Sequence, residues 1–401
     1  MLHPMFLILV IALVPLLPSH ALNVYVSVSA SDRPATTASP FQPETLPANM
    51  VFALAPGVYA DTAGTTPSAA EIIPNAISSS PVSSRELVEV VSRIPNVTSF
   101  TVYQQGETTV EQYWRGHQRN RAMNIKSASK TILSTLTALA LQDGYIESID
   151  DPIARYIPDY MRGLQPEAKQ RIRVKHLLTM SSGLETTSFG NYGRWVVSRD
   201  WTRAALRGEL EAEPGTRMQY STGDTHILSA VLTEATGMST RAYAETRLFR
   251  SMGIRVGGWD RSPEGYYFGG NNLALSPAAL MAFGRLYLDG GVFNGEQLIP
   301  ADWVQESMQP VFFGTSFNPR AHNYGYLWWN NTFGQDQTTA EVYFAWGFGG
   351  QYVFVIPSLE AVVVLTGNPD ARGRGANGQI YRTMDAYIVP WLHQQFHSAE
   401  R

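Results

Sequence analysis

The sequence predicts a mixed α/β protein in which a sheet lobe is interrupted by a helical insertion. Strand-like runs of β-branched and aromatic residues stand near both ends of the globular part, at 99–103 and 108–113 and again at 352–356 and 361–366. Between them, helical patterns alternate with Gly and Pro punctuation, and no repeat of fixed period occurs. Strands at both ends with helical material between them fit one sheet lobe carrying an inserted helical lobe.

The elements follow in order. Residues 5–17 form an apolar run broken only by Pro15 and followed by Pro18, Ser19, His20 and Ala21. This reads as a signal peptide over 1–21, cleaved after Ala21, although its n-region holds His3 and no Lys or Arg. The run is too short for a standard membrane span. The expectation is an exported protein, periplasmic or secreted, with N-terminal membrane anchoring if the segment stays uncleaved. Residues 22–84, rich in Ala, Ser, Thr and Pro, read as a low-complexity extension or linker. The globular part is expected over 85–401. Its sheet lobe spans about 85–125 and 335–401, with the helical lobe between.

Within that part, Gln105-Gly106-Glu107 separates the first two strand runs and marks a hairpin. The spacing predicts a helix over 127–142, stopped by Gly144. Pro357-Ser358 turns between the last two strands, and a final helix is expected over 377–395.

Composition narrows the function. The 401-residue chain is 44% apolar and 16% charged, against roughly 25% charged in an average domain. Its net charge of −4 gives no electrostatic footprint for nucleic acid. With no cysteine, disulfide scaffolds, cysteine zinc sites and cysteine nucleophiles are excluded together. Of 30 basic residues only four are lysines, Lys126, Lys130, Lys169 and Lys175, a bias that Arg-favouring base composition explains. Any motif that needs a lysine therefore has four places to stand.

Lys126-Ser127-Ala128-Ser129-Lys130 is the sharpest signal. On a helix, Ser127 and Lys130 share one face a turn apart. The apolar residues Ile132, Leu133, Leu136, Leu139 and Leu141 that follow predict a buried helix with a rigid first turn. Backbone N–H groups at a helix start suit a developing oxyanion. A desolvated lysine beside them favours the neutral amine, which can accept the serine proton. The pattern is a Ser–Lys nucleophile for acyl transfer.

Residues 126–133, Gly144-Tyr145-Ile146, Asp150-Asp151-Pro152-Ile153 and 174–184 follow in an order that resembles the serine β-lactamase-like hydrolases of the class C type. The similarity is greatest to their esterase and 6-aminohexanoate-dimer hydrolase branch and covers about 85–395. It implies a β-lactamase/transpeptidase-like fold: a mostly antiparallel sheet flanked by helices, with an inserted helical lobe and the site between. It also implies that Tyr220, in Met218-Gln219-Tyr220-Ser221-Thr222, shares proton transfer with Lys130, an adjacent ammonium favouring the phenolate. Thr222 stands where the family motif has Asn.

The family's third motif carries a lysine, and none follows Lys175. Its region holds Trp346-Gly347-Phe348-Gly349-Gly350, where a backbone N–H, best assigned to Phe348, would join that of Ser127 as oxyanion hole. Loss of a carboxylate-binding lysine and gain of an apolar wall favour esters or small amides over β-lactams.

Other chemistry is thinly represented. No His-Glu-x-x-His, phosphate loop or Gly-x-Ser-x-Gly elbow occurs, and the one His-x-x-x-His pair, His393 and His397, has no third ligand beside it. His176 and His226 read as packed or capping, and the aromatic clusters 266–268 and 324–329 as core. Asn96 and Asn330 begin glycosylation sequons, meaningful only in a eukaryotic secretory host. The expected protein is a serine hydrolase acting on a small-molecule ester or amide, with no metal, cofactor or nucleic-acid partner. A β-lactamase or D-alanyl-D-alanine peptidase, or a non-catalytic binding homologue, are the alternatives.

Overall fold

The structure, a computed structural model, describes residues 82–317, 320–370 and 376–399. The expected signal segment and nearly all of the expected extension lie outside the described residues. Helix α1, Ser84–Ser92, opens the described part, with the Ser83 hydroxyl accepting the Glu86 N–H as its cap.

Strands β1 (Val97–Gln104) and β2 (Glu107–Tyr113) form the expected hairpin. Gln105 and Gly106 both have positive φ, 48° and 90°, the geometry that matches a tight turn to strand twist. Three short strands follow far apart in sequence: β3 (Met123–Asn124), β4 (Gly258–Trp259) and β5 (Leu273–Leu275), paired in the order β3-β5-β4. Strands β6 (Val292–Phe293) and β7 (Glu296–Gln297) make a small hairpin. Then come β8 (Phe312–Phe317), β9 (Arg320–Tyr324), β10 (Trp329–Phe333), β11 (Ala340–Gly347), β12 (Gln351–Ile356) and β13 (Ala361–Gly367).

One eight-stranded sheet takes the order β2-β1-β13-β12-β11-β10-β9-β8, every neighbouring pair antiparallel. The N-terminal hairpin and the last strand meet in its interior, with Phe100 opposite Leu365. The sheet lobe is therefore wider than the sequence boundary at 335. Strands β8 to β10 belong to it, although 312–333 lacks the alternation that marks a half-buried strand. Pairing with one another, and through β10 with β11, rather than local pattern, makes these residues strands.

Every residue of β12 and β13 is buried, so helices cover both faces of the sheet centre. Helix α2, Ser129–Gln142, is buried on nearly every side. Its threonine hydroxyls are bonded inside the protein: Thr131 donates to the Leu327 carbonyl at 3.0 Å, Thr137 to the Leu133 carbonyl at 2.9 Å, and Thr135 pairs with the Tyr287 hydroxyl at 2.8 Å. Helix α3 spans Thr222–Thr236 and ends at Gly237 with φ 66°. Helix α4, Pro277–Leu288, packs on the sheet through Gly284, where a Cβ would stand 2.5 Å from Val362 and 2.8 Å from Val353. The final helix runs from Ala376 to Ala399 with one π turn, Met384–Ile388, just before Pro390, which offers no N–H to the helical ladder.

Candidate active site

Ser127 lies in a single 3-10 turn, Lys126–Ala128, that leads into α2; the α-helix proper starts at Ser129, two residues later than the sequence pattern suggests. Lys126 has a φ of 52°, a left-handed conformation uncommon for a lysine. The neighbouring Asn124 supports it: Oδ1 accepts the Lys126 N–H at 2.8 Å while Nδ2 donates to Asn272 Oδ1 at 2.9 Å. Pairing of β3 with β5, together with the Ile125 N–H donated to the Leu273 carbonyl at 2.9 Å, brings 270–273 alongside the nucleophile turn.

That juxtaposition builds the environment of Lys130, which is 2% exposed. Its Nζ lies 3.1 Å from Ser127 Oγ, donates to the Gly270 carbonyl at 2.6 Å and stands 3.5 Å from Thr222 Oγ1. A Cβ at position 270 would come within 2.9 Å of Nζ and 2.3 Å of Thr225 Oγ1. Glycine there lets the carbonyl reach the amine. Burial disfavours the ammonium and brings the Lys130 pKa down from 10.5 to about 7.

Tyr220 enters from the segment before α3, held where Thr186 Oγ1 donates to its carbonyl at 2.7 Å. Its ring stacks on Trp329 at 5.8 Å, contacts Phe189 at 6.1 Å, and lies 5.0 Å from Lys130 Nζ. Burial raises the phenol pKa above its ordinary 10, and a hydrogen bond with Ser127 offsets part of that rise. This corrects the expectation of a phenolate. In this desolvated pocket Tyr220 rests as the phenol, and Lys130 is the group poised to be neutral. Thr222 turns inward: its N–H and Oγ1 both engage Ser188 Oγ at 2.9 Å, so its hydroxyl is not presented to a substrate.

The third wall is the end of β11. Gly347 abuts the nucleophile turn so closely that a Cβ would stand 2.1 Å from the Ile125 carbonyl oxygen and 3.1 Å from the Ala128 nitrogen. Phe348 follows and is 62% exposed. Trp346 packs edge-on to Trp329 at 5.8 Å, continuing an aromatic wall from Tyr220. Gly349 and Gly350 both have positive φ and complete the turn into β12.

Sequence reading missed several supports. Asn96 Nδ2 donates to the Gly349 carbonyl at 2.7 Å and steadies that turn from the far end of the chain. Asn96 and Asn330 are 3% and 2% exposed, so neither sequon offers an accessible amide in the folded protein. Asp224, 2% exposed, accepts from Ser182 Oγ at 2.9 Å, and burial raises its pKa to about 7. Only the contacts of the fold single out Asn96, Gly270 and Asp224. The two histidines read as packed or capping behave so. His176 Nδ1 accepts the Arg173 N–H at 3.2 Å, and His226 lies between Trp195, Trp201 and Phe268 with Nε2 3.1 Å from Glu264.

The serine, the lysine one turn on and the tyrosine share one pocket beneath a glycine-bearing strand end. The profile of the Beta-lactamase family matches residues 92–387. The chain belongs to the beta-lactamase family. The 6-aminohexanoate-dimer hydrolase of Paenarthrobacter ureafaciens is 23% identical over 306 residues, covering 70% of this chain and 75% of that one. Among solved structures, the octameric penicillin-binding protein homologue from Pyrococcus abyssi superposes with a TM-score of 0.59 at 16% identity, over 78% of this chain and 81% of that one. A D-stereospecific amidohydrolase from Streptomyces sp. gives 0.53 at 17% identity, over 68% and 89%. Both structural likenesses establish the beta-lactamase-type fold, an antiparallel sheet with flanking helices.

Proposed function

We propose that this beta-lactamase-family protein is a serine hydrolase that cleaves ester or small amide bonds through an acyl-enzyme. The observation that carries the reading is the 3.1 Å approach of a buried, near-neutral Lys130 amine to Ser127 Oγ. Ser127 Oγ attacks the carbonyl carbon and its proton passes to the Lys130 lone pair. Oxyanion charge develops against the backbone N–H groups of Ser127 and Phe348. The proton reaches the leaving oxygen or nitrogen through the Tyr220 hydroxyl, the carbonyl carbon–leaving atom bond breaks, and the alcohol or amine departs. Water then attacks the acyl carbon, giving one proton back along the same path to Ser127 Oγ as the acid leaves. Nucleophile, base and acid are all side chains of this chain. The apolar wall of Trp346 and Trp329 supports neutral acyl substrates over β-lactams with their carboxylate.

The deciding experiment is covalent labelling. Stoichiometric modification by a fluorophosphonate and a p-nitrophenyl acetate burst, both lost in Ser127→Ala, are expected. Folded protein showing neither would overturn the reading in favour of a binding homologue. Cephalosporin turnover matching that of a simple ester would move the substrate class to β-lactams.

A further inference from the structure

A cleft of about 490 Å³ opens beside the site, lined by Phe189, Met218, Tyr220, Phe312 and Phe313 and completed by the polar Arg217, Gln219 and three threonines. Its size falls within the range of roughly 300–1,000 Å³ typical of small-molecule sites. Two of its aromatic side chains are left in water: Phe189 is 46% and Phe313 72% exposed. Large exposed apolar groups lining a concave surface mark a place where an apolar ligand is taken up. The fold gathers them from three separate parts of the chain. Phe189 contacts the Tyr220 ring at 6.1 Å and has a φ of 54°, a left-handed backbone that aims the residue. Phe312 and Phe313 come from β8, the edge strand of the sheet. The cation on the rim, Arg217, lies 3.4 Å from Glu211 and 3.2 Å from Gln219 Oε1, so its charge is already shared.

Tyr220 is common to the cleft and to the reacting groups, whereas the oxyanion turn at 346–348 does not border the cleft. The residue that hands a proton to the leaving atom must stand next to that atom. The chain attached to the leaving atom therefore runs past Tyr220, away from the oxyanion turn. From this we infer that the cleft is the subsite for the alcohol or amine half of the substrate, and that this half is an apolar chain or ring. The inference rests on the acyl-enzyme reading above and deepens it.

The test compares two ester series, followed by acid release in a pH-stat. In n-alkyl acetates from ethyl to octyl, only the alcohol grows. In ethyl esters from acetate to octanoate, only the acyl group grows. kcat/KM is expected to climb about two- to fourfold per methylene in the first series until the cleft is filled, and to change little in the second. Phe313→Ala and Phe189→Ala should lower the octyl-to-ethyl acetate ratio by about tenfold. Phe313 is largely solvent-exposed, so its truncation leaves the core untouched. A flat alcohol series, a climb confined to the acyl series, or an unchanged ratio in both variants overturns the assignment while Ser127 labelling stands. Loss of labelling together with all ester turnover removes the acyl-enzyme reading itself, and the subsite with it.

Discussion

Lys130 Nζ and the Gly270 carbonyl oxygen lie 2.6 Å apart, although 140 residues separate them. A neutral amine has two N–H donors and one lone pair. With the Gly270 carbonyl and Thr222 Oγ1 occupying the donor side, the lone pair is left for the Ser127 hydroxyl at 3.1 Å. The carbonyl thus orients the base without supplying the negative charge that would hold it protonated.

The pH profile should report this directly. Lys130 acts as base only when neutral, and burial brings its pKa to about 7. In a kcat/KM profile, which reads the free enzyme, activity is expected to fall tenfold per unit below that value and to level off above it. Tyr220, pushed above 10, should add no alkaline limb below pH 10. An acid limb displaced to pH 9 or higher would show that Lys130 rests as the ammonium.

Lys130→Met should abolish turnover yet stabilise the fold. The folded amine has a depressed pKa and the unfolded one an ordinary value of 10.5, so at neutral pH the unfolded chain binds the extra proton. By linkage that penalty is on the order of 4 kcal/mol at pH 7 and shrinks as pH rises toward 10.5. Leaving the Gly270 carbonyl without its donor returns about 1–3 kcal/mol of cost. Denaturant unfolding should therefore find the Met variant about 1–3 kcal/mol more stable at pH 7, with the gap closed or reversed by pH 10, where the linkage penalty has fallen below the cost of the bare carbonyl. A less stable variant at pH 7 would contradict the depressed pKa.

Gly347→Ala should damage catalysis more than folding. The new Cβ would meet the Ile125 carbonyl oxygen at 2.1 Å, so the strand end must withdraw from the nucleophile turn and carry the Phe348 N–H with it. Loss of one oxyanion donor costs about 10²–10³ in kcat. Steady-state kinetics should show a drop of that order while circular dichroism stays native. Retention of kcat within twofold would remove the strand end from the oxyanion hole.

Asn96→Ala tests the remote support of the same turn. It deletes the bond to the Gly349 carbonyl, and a lost buried hydrogen bond costs about 1–3 kcal/mol. Thermal unfolding should register that loss, and kcat is expected to fall by about tenfold as the turn loosens. Unchanged kcat in a destabilised variant would confine Asn96 to a structural role.

Local pattern made much of this protein legible. The Gln105-Gly106 hairpin, the helix after Ser127, strands β12 and β13 and the final helix all follow from turn residues and apolar periodicity within one short window. Strands β8 to β10 did not, because their aromatic, glycine and asparagine residues become strands only through pairing with one another and, through β10, with β11.

The site divides along the same line. Ser127 and Lys130 were readable because helical spacing places them on one face, and the scarcity of lysine made the pair conspicuous. The succession of 126–133, 144–146, 150–153 and 174–184 carried the resemblance that implied the type of fold. Protonation states could not be read, since an adjacent charge and a desolvating pocket push a tyrosine in opposite directions and only the packed structure decides which prevails. Here burial prevails, leaving Tyr220 a phenol and Lys130 close to neutral. The sequence by itself determined which side chains are present and how they are spaced along one helix. The tertiary structure decided which distant backbone atoms meet them, because contacts such as Gly270 to Lys130 and Gly347 to Ile125 exist only once the sheet and the short β3–β5 pairing have closed.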